Sequence, residues 1–153
     1  MLSIEQVTQA QWEQLWPIFK VVIQGGDTYP YSPETTKEEG QKIWMASGHI
    51  VYAAYDAEGK LVGTYYLKAN QAGLGAHVAN AGFMVSPEHQ GKGIGRQLAE
   101  HALKEAKEQG YLAMQFNLVV STNTYAIKLW QSFGFEILAT LPKVFNHKEQ
   151  GLV

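Results

Sequence analysis

The feature that most constrains this chain is a run of residues, Val85-Ser86-Pro87-Glu88-His89-Gln90-Gly91-Lys92-Gly93-Ile94-Gly95-Arg96. A β-rich stretch stops at a proline, three glycines alternate with other residues, and a helical pattern begins at once. Backbone N–H groups at a helix N-terminus lack partners and lie at the positive end of the helix dipole, so an anion there gains hydrogen bonds and favourable electrostatics together. Glycines let anionic oxygens approach the backbone, and they serve equally well in a plain turn. A Walker loop is excluded because Lys92 precedes Gly93 rather than Ser or Thr, and the dinucleotide fingerprint needs a longer gap between its second and third glycines.

The flanking pattern places this turn inside an α/β domain. Leu2 to Val7 reads as a short strand, and Thr8 with Gln11 makes a capping-box pattern opening a helix that turns Trp12, Leu15, Trp16, Phe19 and Val22 inward until Gly25 and Gly26 end it. The proline-rich stretch Asp27 to Pro33 is a loop and a candidate substrate lid, followed by a helix from about Glu34 to Ala46. Ile50–Tyr55 and Leu61–Leu67, joined by Asp56-Ala57-Glu58-Gly59, form an antiparallel hairpin. Val78–Val85 is the strand before the glycine turn. Leu98, Ala102, Leu103 and Ala106 mark the helix after it, which Gly110 closes. Tyr111–Val120 alternates as a strand, with Met114, Phe116, Leu118 and Val120 on one face and Gln115, Asn117 and Val119 on the other. Ser121 to Thr124 supplies caps for a last helix bearing Ala126, Ile127, Trp130 and Phe133, and Phe135–Leu141 reads as a further strand. Strand and helix alternate throughout, which indicates a mixed sheet.

Composition narrows the partners. The 153 residues suit a single domain spanning 1–153, and 46% hydrophobic content is enough for one core. With 12 basic and 14 acidic side chains scattered along the chain, net charge -2, no electropositive face is expected for nucleic acid or anionic lipid. The absence of cysteine excludes disulfides and thiolate chemistry, and suits a reducing compartment. The first residues do not read as a signal peptide and no stretch is apolar enough to span a bilayer, so a soluble cytoplasmic protein is expected. His77, His89 and His101 lie on separate elements without metal-ligand spacing, and no metal is expected.

Gln90-x-x-Gly93-x-Gly95, followed by a helix, a strand and Asn123-x-x-Ala126-x-x-Leu129-Trp130-x-x-x-Gly134-Phe135, resembles the GCN5-related N-acetyltransferases over Asn80 to Phe135. The resemblance implies a mixed, mostly antiparallel sheet flanked by about four helices, with two strands splayed to admit acetyl-CoA. It implies that the coenzyme A pyrophosphate is held by Gln90, Gly91, Lys92, Gly93, Ile94, Gly95 and Arg96. Met84 and Val85 would pair with the pantetheine arm like another strand, a freed N–H there would bind the thioester carbonyl, and Asn123 and Trp130 would flank the arm. Asp27-Thr28-Tyr29-Pro30, Asn80-Ala81-Gly82-Phe83 and Phe116-Asn117-Leu118-Val119 are similar to the yeast-type acetyltransferases of azetidine-2-carboxylate and related imino acids. That narrower likeness implies Asn80 and Asn117 as substrate-binding or orienting groups, with Asn117 and Asn123 assisting catalysis. The alternative is that each asparagine only satisfies a neighbouring backbone group.

Aminolysis of a thioester needs a neutral amine, an oxyanion donor and often a proton source for the thiolate. Where many relatives have a tyrosine as that source, this chain has Trp130, whose indole is a poor acid. Tyr125, a water or no group at all fills the role. The base is equally open, with Asp27 and Glu34 beside the loop. Tyr29, Tyr31 and Trp44 form a candidate aromatic wall for the substrate, though core packing explains such residues too. The readings that compete are an acetyltransferase for a protein N-terminus or another amine, and a non-catalytic coenzyme A sensor. Cationic acceptors would want a strongly acidic cleft, whereas paired asparagines suit a small zwitterion. The family's last strand, inserted beside the one after the final helix, has only Gly151-Leu152-Val153 to form it, so a truncated or partner-completed sheet is expected. Similar proteins suggest a homodimer, on which these residues are silent.

Overall fold

Hydrophobic faces at helical and strand spacing sort the chain into two layers of helix around one sheet. A computed structural model describes all residues 1–153. Strands β1 (Ser3–Val7), β2 (Ile50–Tyr55), β3 (Leu61–Ala69), β4 (Val78–Val85) and β5 (Ala113–Met114) form a sheet in that order. All neighbours are antiparallel except β4 and β5. Helices α1 (Trp12–Gly25) and α2 (Lys37–Trp44) cover one face, and α3 (Ile94–Glu108) covers the other. α4 (Thr124–Ser132) packs beside α3 through Leu129 and Trp130 against Ala99.

Local chemistry sets most boundaries. The Thr8 N–H donates to Gln11 Oε1 at 2.6 Å, so the expected capping box is present, but it closes a 3₁₀ turn and α1 proper starts at Trp12. α2 is shorter than expected, because its own box sets its start. Thr36 N–H donates to Glu39 Oε2 at 2.8 Å, and Glu39 N–H donates to Thr36 Oγ1 at 3.2 Å. Asn123 caps α4 by accepting from the Ala126 N–H.

Two strand expectations are corrected. Of Tyr111–Val120 only Ala113–Met114 forms a ladder, opposite Val78 and Ala79, after which the segment leaves β4. Phe116 then packs on Trp130 and Phe135, while Leu118 and Val119 stay exposed. Phe135–Leu141 is not a strand at all: no neighbour offers a ladder, and Ile137, Leu138 and Leu141 are exposed. Alternation predicts a strand only where a partner backbone exists to satisfy it. The final residues instead turn back on themselves, as β6 (Asn146–His147) pairs with β7 (Gly151–Leu152).

Candidate active site

The pleat of β4 decides which of its groups reach the gap left by β5. Ser86 N–H donates to the Val62 carbonyl at 2.9 Å and Asn70 N–H to the Val78 carbonyl at 2.8 Å, so even-numbered peptide groups of β4 point at β3. Odd-numbered groups point toward β5, as Gln115 N–H donating to the Ala79 carbonyl at 2.8 Å demonstrates. Beyond Ala79 the partner strand is gone, and the peptide groups of Ala81, Phe83 and Val85 face an open cleft. Met84 therefore does not pair with a ligand beside Val85. Its peptide group lies opposite Thr64 on β3, and its side chain is buried with Trp12 and Phe19. The expectation for Met84 passes to Phe83 by the two-residue period of a strand.

The Phe83 peptide is already occupied by Tyr29. Its N–H donates to the Tyr29 hydroxyl at 2.6 Å, and that hydroxyl donates to the Phe83 carbonyl at 2.7 Å. The Tyr29 ring is stacked on Tyr31 at 5.6 Å and meets Trp44 edge-on at 6.0 Å. Burial, reinforced by the neighbouring Tyr66 and Tyr31 hydroxyls, pushes the Tyr29 phenol well above its ordinary range. It stays protonated at any ordinary pH.

At the other end of the cleft the glycine turn has the expected form. Gly91 and Gly93 have φ of 77° and 76°, the left-handed region open to glycine, and a side chain at either would point into open space. No N–H from Gly91 to Arg96 donates to a protein acceptor; the first engaged is Gln97, bonded to the Gly93 carbonyl. These amides sit at the N-terminus of a 15-residue helix and form an anion nest. Gln90 and Lys92 are exposed on the same turn, and Ile94 is buried beneath it. Arg96 reaches sideways, with Nη2 donating to Ser132 Oγ at 2.8 Å and the guanidinium 4.9 Å above the Phe133 ring, which ties α3 to α4.

The asparagines occupy distinct settings. Asn80 is buried, and its Nδ2 donates to the Gln115 carbonyl at 2.9 Å, where β5 departs. Its Oδ1 makes no protein hydrogen bond and is not fully buried, so it remains accessible. Asn117 is exposed, donating to Asn70 Oδ1 at 2.7 Å and accepting from Gln115 Nε2 at 3.1 Å. Asn80 and Asn117 thus meet through Gln115, a residue the sequence reading did not single out. Asn123 spends its carbonyl on the α4 cap and keeps its Nδ2 free. Trp130 lies 5.0 Å from Phe83 and 4.4 Å from Phe116, forming an aromatic floor between β4 and α4. Tyr125 is exposed, with its hydroxyl over Gly95 at the start of α3.

A cleft of about 420 Å3 opens beside Tyr29, between the proline-rich loop and residues 144–148. No Asp or Glu lines it, and Lys148 and His147 do. The His147 Nδ1 accepts from the Glu149 and Gln150 N–H groups, which holds its ring in one tautomer. Lys148 N–H donates to the Gly26 carbonyl at 3.0 Å, and so fixes the tail to the base of the loop. Asp27 and Glu34 are both exposed and neither borders this cleft. His49, another residue not singled out by the sequence, stacks on Tyr66 at 4.2 Å and bonds the Trp44 carbonyl through Nδ1 at 2.9 Å. A carbonyl only accepts, so Nδ1 carries the proton and neutral His49 presents Nε2 as a base.

A sheet that parts at β4 and β5, with an anion nest where the helix after β4 begins, defines a cofactor-binding acyltransferase fold. The chain belongs to the acetyltransferase (GNAT) family, whose sequence profile matches residues 9–135. It is 41% identical to a GCN5-related N-acetyltransferase from Kribbella flavida, with a TM-score of 0.92 over 99% of this chain and 92% of that one. N-acetyltransferase aca1 of Schizosaccharomyces pombe is 34% identical over 128 residues, covering 74% of this chain and 61% of the relative. The L-amino acid N-acyltransferase MnaT of Escherichia coli is 37% identical over 68 residues, 44% of this chain and 39% of that protein. The chain thus spans less than two thirds of the length of these curated relatives. No helix is long and apolar enough to cross a membrane.

Proposed function

We propose that this chain is an acetyl-CoA-dependent N-acetyltransferase whose acceptor is the nitrogen of a small, amino-acid-like molecule. The observation that carries the cofactor is the unengaged run of amides from Gly91 to Arg96, which fits a diphosphate at a helix N-terminus. Val85 offers an outward peptide group to the pantetheine arm, and Phe83 one that Tyr29 holds until the cofactor enters, with Trp130 beneath the arm and the Asn123 Nδ2 on its far side. The acceptor takes the cleft beside Tyr29. Lys148 and His147, without any lining carboxylate, favour an acceptor bearing a carboxylate over a polyamine or aminoglycoside. The accessible Asn80 Oδ1 accepts from the acceptor's amine, and Asn117 orients Asn80 through Gln115. The likeness to MnaT and to azetidine-2-carboxylate acetyltransferases points the same way. Neutral His49 Nε2, on the ring stacked against Tyr66, is the base, working through water.

Calorimetric titration with acetyl-CoA tests the cofactor, and thiol release over a panel of amino acids, cyclic imino acids, polyamines and N-terminal peptides tests the acceptor. Binding in the micromolar range, with turnover confined to zwitterions, is expected. Turnover only with polyamines would remove the acceptor assignment, and binding without any turnover would favour the sensor.

A further inference from the structure

We infer that the Tyr29 hydroxyl is a second hydrogen-bond donor to the thioester oxygen, beside the Phe83 N–H; this rests on the acetyl-transfer reading above. Of the peptide groups that face the cleft where the strands part, that of Phe83 is the one met by a side chain, with the Tyr29 hydroxyl 2.6 Å from its nitrogen. An acyl oxygen bound by that N–H must come to about 2.9 Å of the same atom. It therefore takes the place of the phenol oxygen and lies against it. The phenol has a second anchor, the Phe83 carbonyl at 2.7 Å, to which it donates its own proton. Its ring is held by Tyr31 and Trp44, so displacement moves the hydroxyl by about the width of one oxygen and keeps it in the cleft. Its O–H then turns from the Phe83 carbonyl to the acyl oxygen.

The step balances with Tyr29 unchanged. The neutral amine attacks the thioester carbon, forming the C–N bond, and the carbonyl π pair moves to oxygen. That oxyanion is held by two donors, Phe83 N–H and Tyr29 O–H. It collapses, the C–S bond breaks, and the electron pair leaves on sulfur. The extra proton on nitrogen passes through water to His49 Nε2 or to the thiolate. A phenol that resists ionisation serves this purpose, because it donates a hydrogen bond without surrendering its proton.

The competing account is that Tyr29 merely plugs the cleft, and the two predict opposite outcomes for Tyr29→Phe. As a donor, its loss lowers the single-turnover acetylation rate roughly 100- to 1000-fold and leaves the acetyl-CoA dissociation constant within about threefold. As a plug, its loss tightens acetyl-CoA binding and leaves the rate intact, which would overturn the inference, as would loss of cofactor binding altogether. Replacing Tyr29 with fluorotyrosines, which keep ring and hydroxyl, covers a phenylalanine variant that does not fold. The rate should rise with the donor strength of the phenol, and a flat series would also overturn the inference. A wild-type protein that neither binds acetyl-CoA nor turns over would instead remove the acetyl-transfer reading itself.

Discussion

Gly82 shows how closely a single residue is set here. A β-carbon there would lie 2.4 Å from the Tyr66 ring, which is itself fixed by His49 on one side and Trp44 on another. Gly82→Ala must displace Tyr66, and should cost about 1 to 3 kcal/mol by overpacking, read as a lower urea midpoint with an unchanged slope. Gly93 is constrained differently, by conformation and by the space its amide opens on. Gly93→Val places a β-branched residue at positive φ and puts methyl groups into the space proposed for a phosphate oxygen. Its expected result is loss of acetyl-CoA binding in calorimetry, with the folded spectrum retained.

Among the elements, α2 depends on its ends. Thr36 and Glu39 satisfy each other's backbone N–H groups, and the helix they start follows directly from the loop that carries Tyr29. Thr36→Ala should cost about 1 kcal/mol by thermal or chemical melting, and should raise KM for the acceptor more than for acetyl-CoA, because the loop loses one fixed end. Signals of this local kind were readable before the structure: Thr8 with Gln11, the glycine turn into α3, and Asn123 opening α4. The amides of the glycine turn came out free, as expected, because a turn is specified by residues next to one another; Gly91 and Gly93 also take positive φ, which Gly95 does not. The phase of β4 was not readable. Whether Phe83 or Met84 faces the cleft depends on the pairing of Val62 with Ser86, residues far apart in the chain, and a one-residue slip reverses every group. Phe135–Leu141 misled for a related reason, since its alternation says nothing of a neighbouring strand. The sequence named Asn80 and Asn117 on adjacent strands, but Asn117 lies past the end of β5 and connects to Asn80 only through Gln115, which carries no motif.

For the molecule as a whole, acid is the expected weakness. Burial lowers His49 below the ordinary histidine value of 6.5, with Lys68 adding to it and the Trp44 carbonyl opposing. His101 is lowered by burial, with Glu105 pulling the other way and Lys104 assisting; its Nδ1 meets the Tyr65 hydroxyl. Both are neutral in the fold and regain their usual proton affinity on unfolding. Between their lowered native values and about 6.5 the unfolded chain binds more protons, so stability is complete above that range and falls as pH drops through it. Urea midpoints from pH 7.5 to 5 should decline, and His49→Gln should flatten the slope.

Val153 and Phe145 exchange both of their backbone hydrogen bonds, and Phe145 borders the pocket beside Tyr29. A tag or reporter fused at the C-terminus of this segment would leave from the wall of that pocket and crowd its mouth. Met1, by contrast, precedes β1, which forms the opposite edge of the sheet from β5. Immobilising the protein for kinetic work is therefore best done through its N-terminal end.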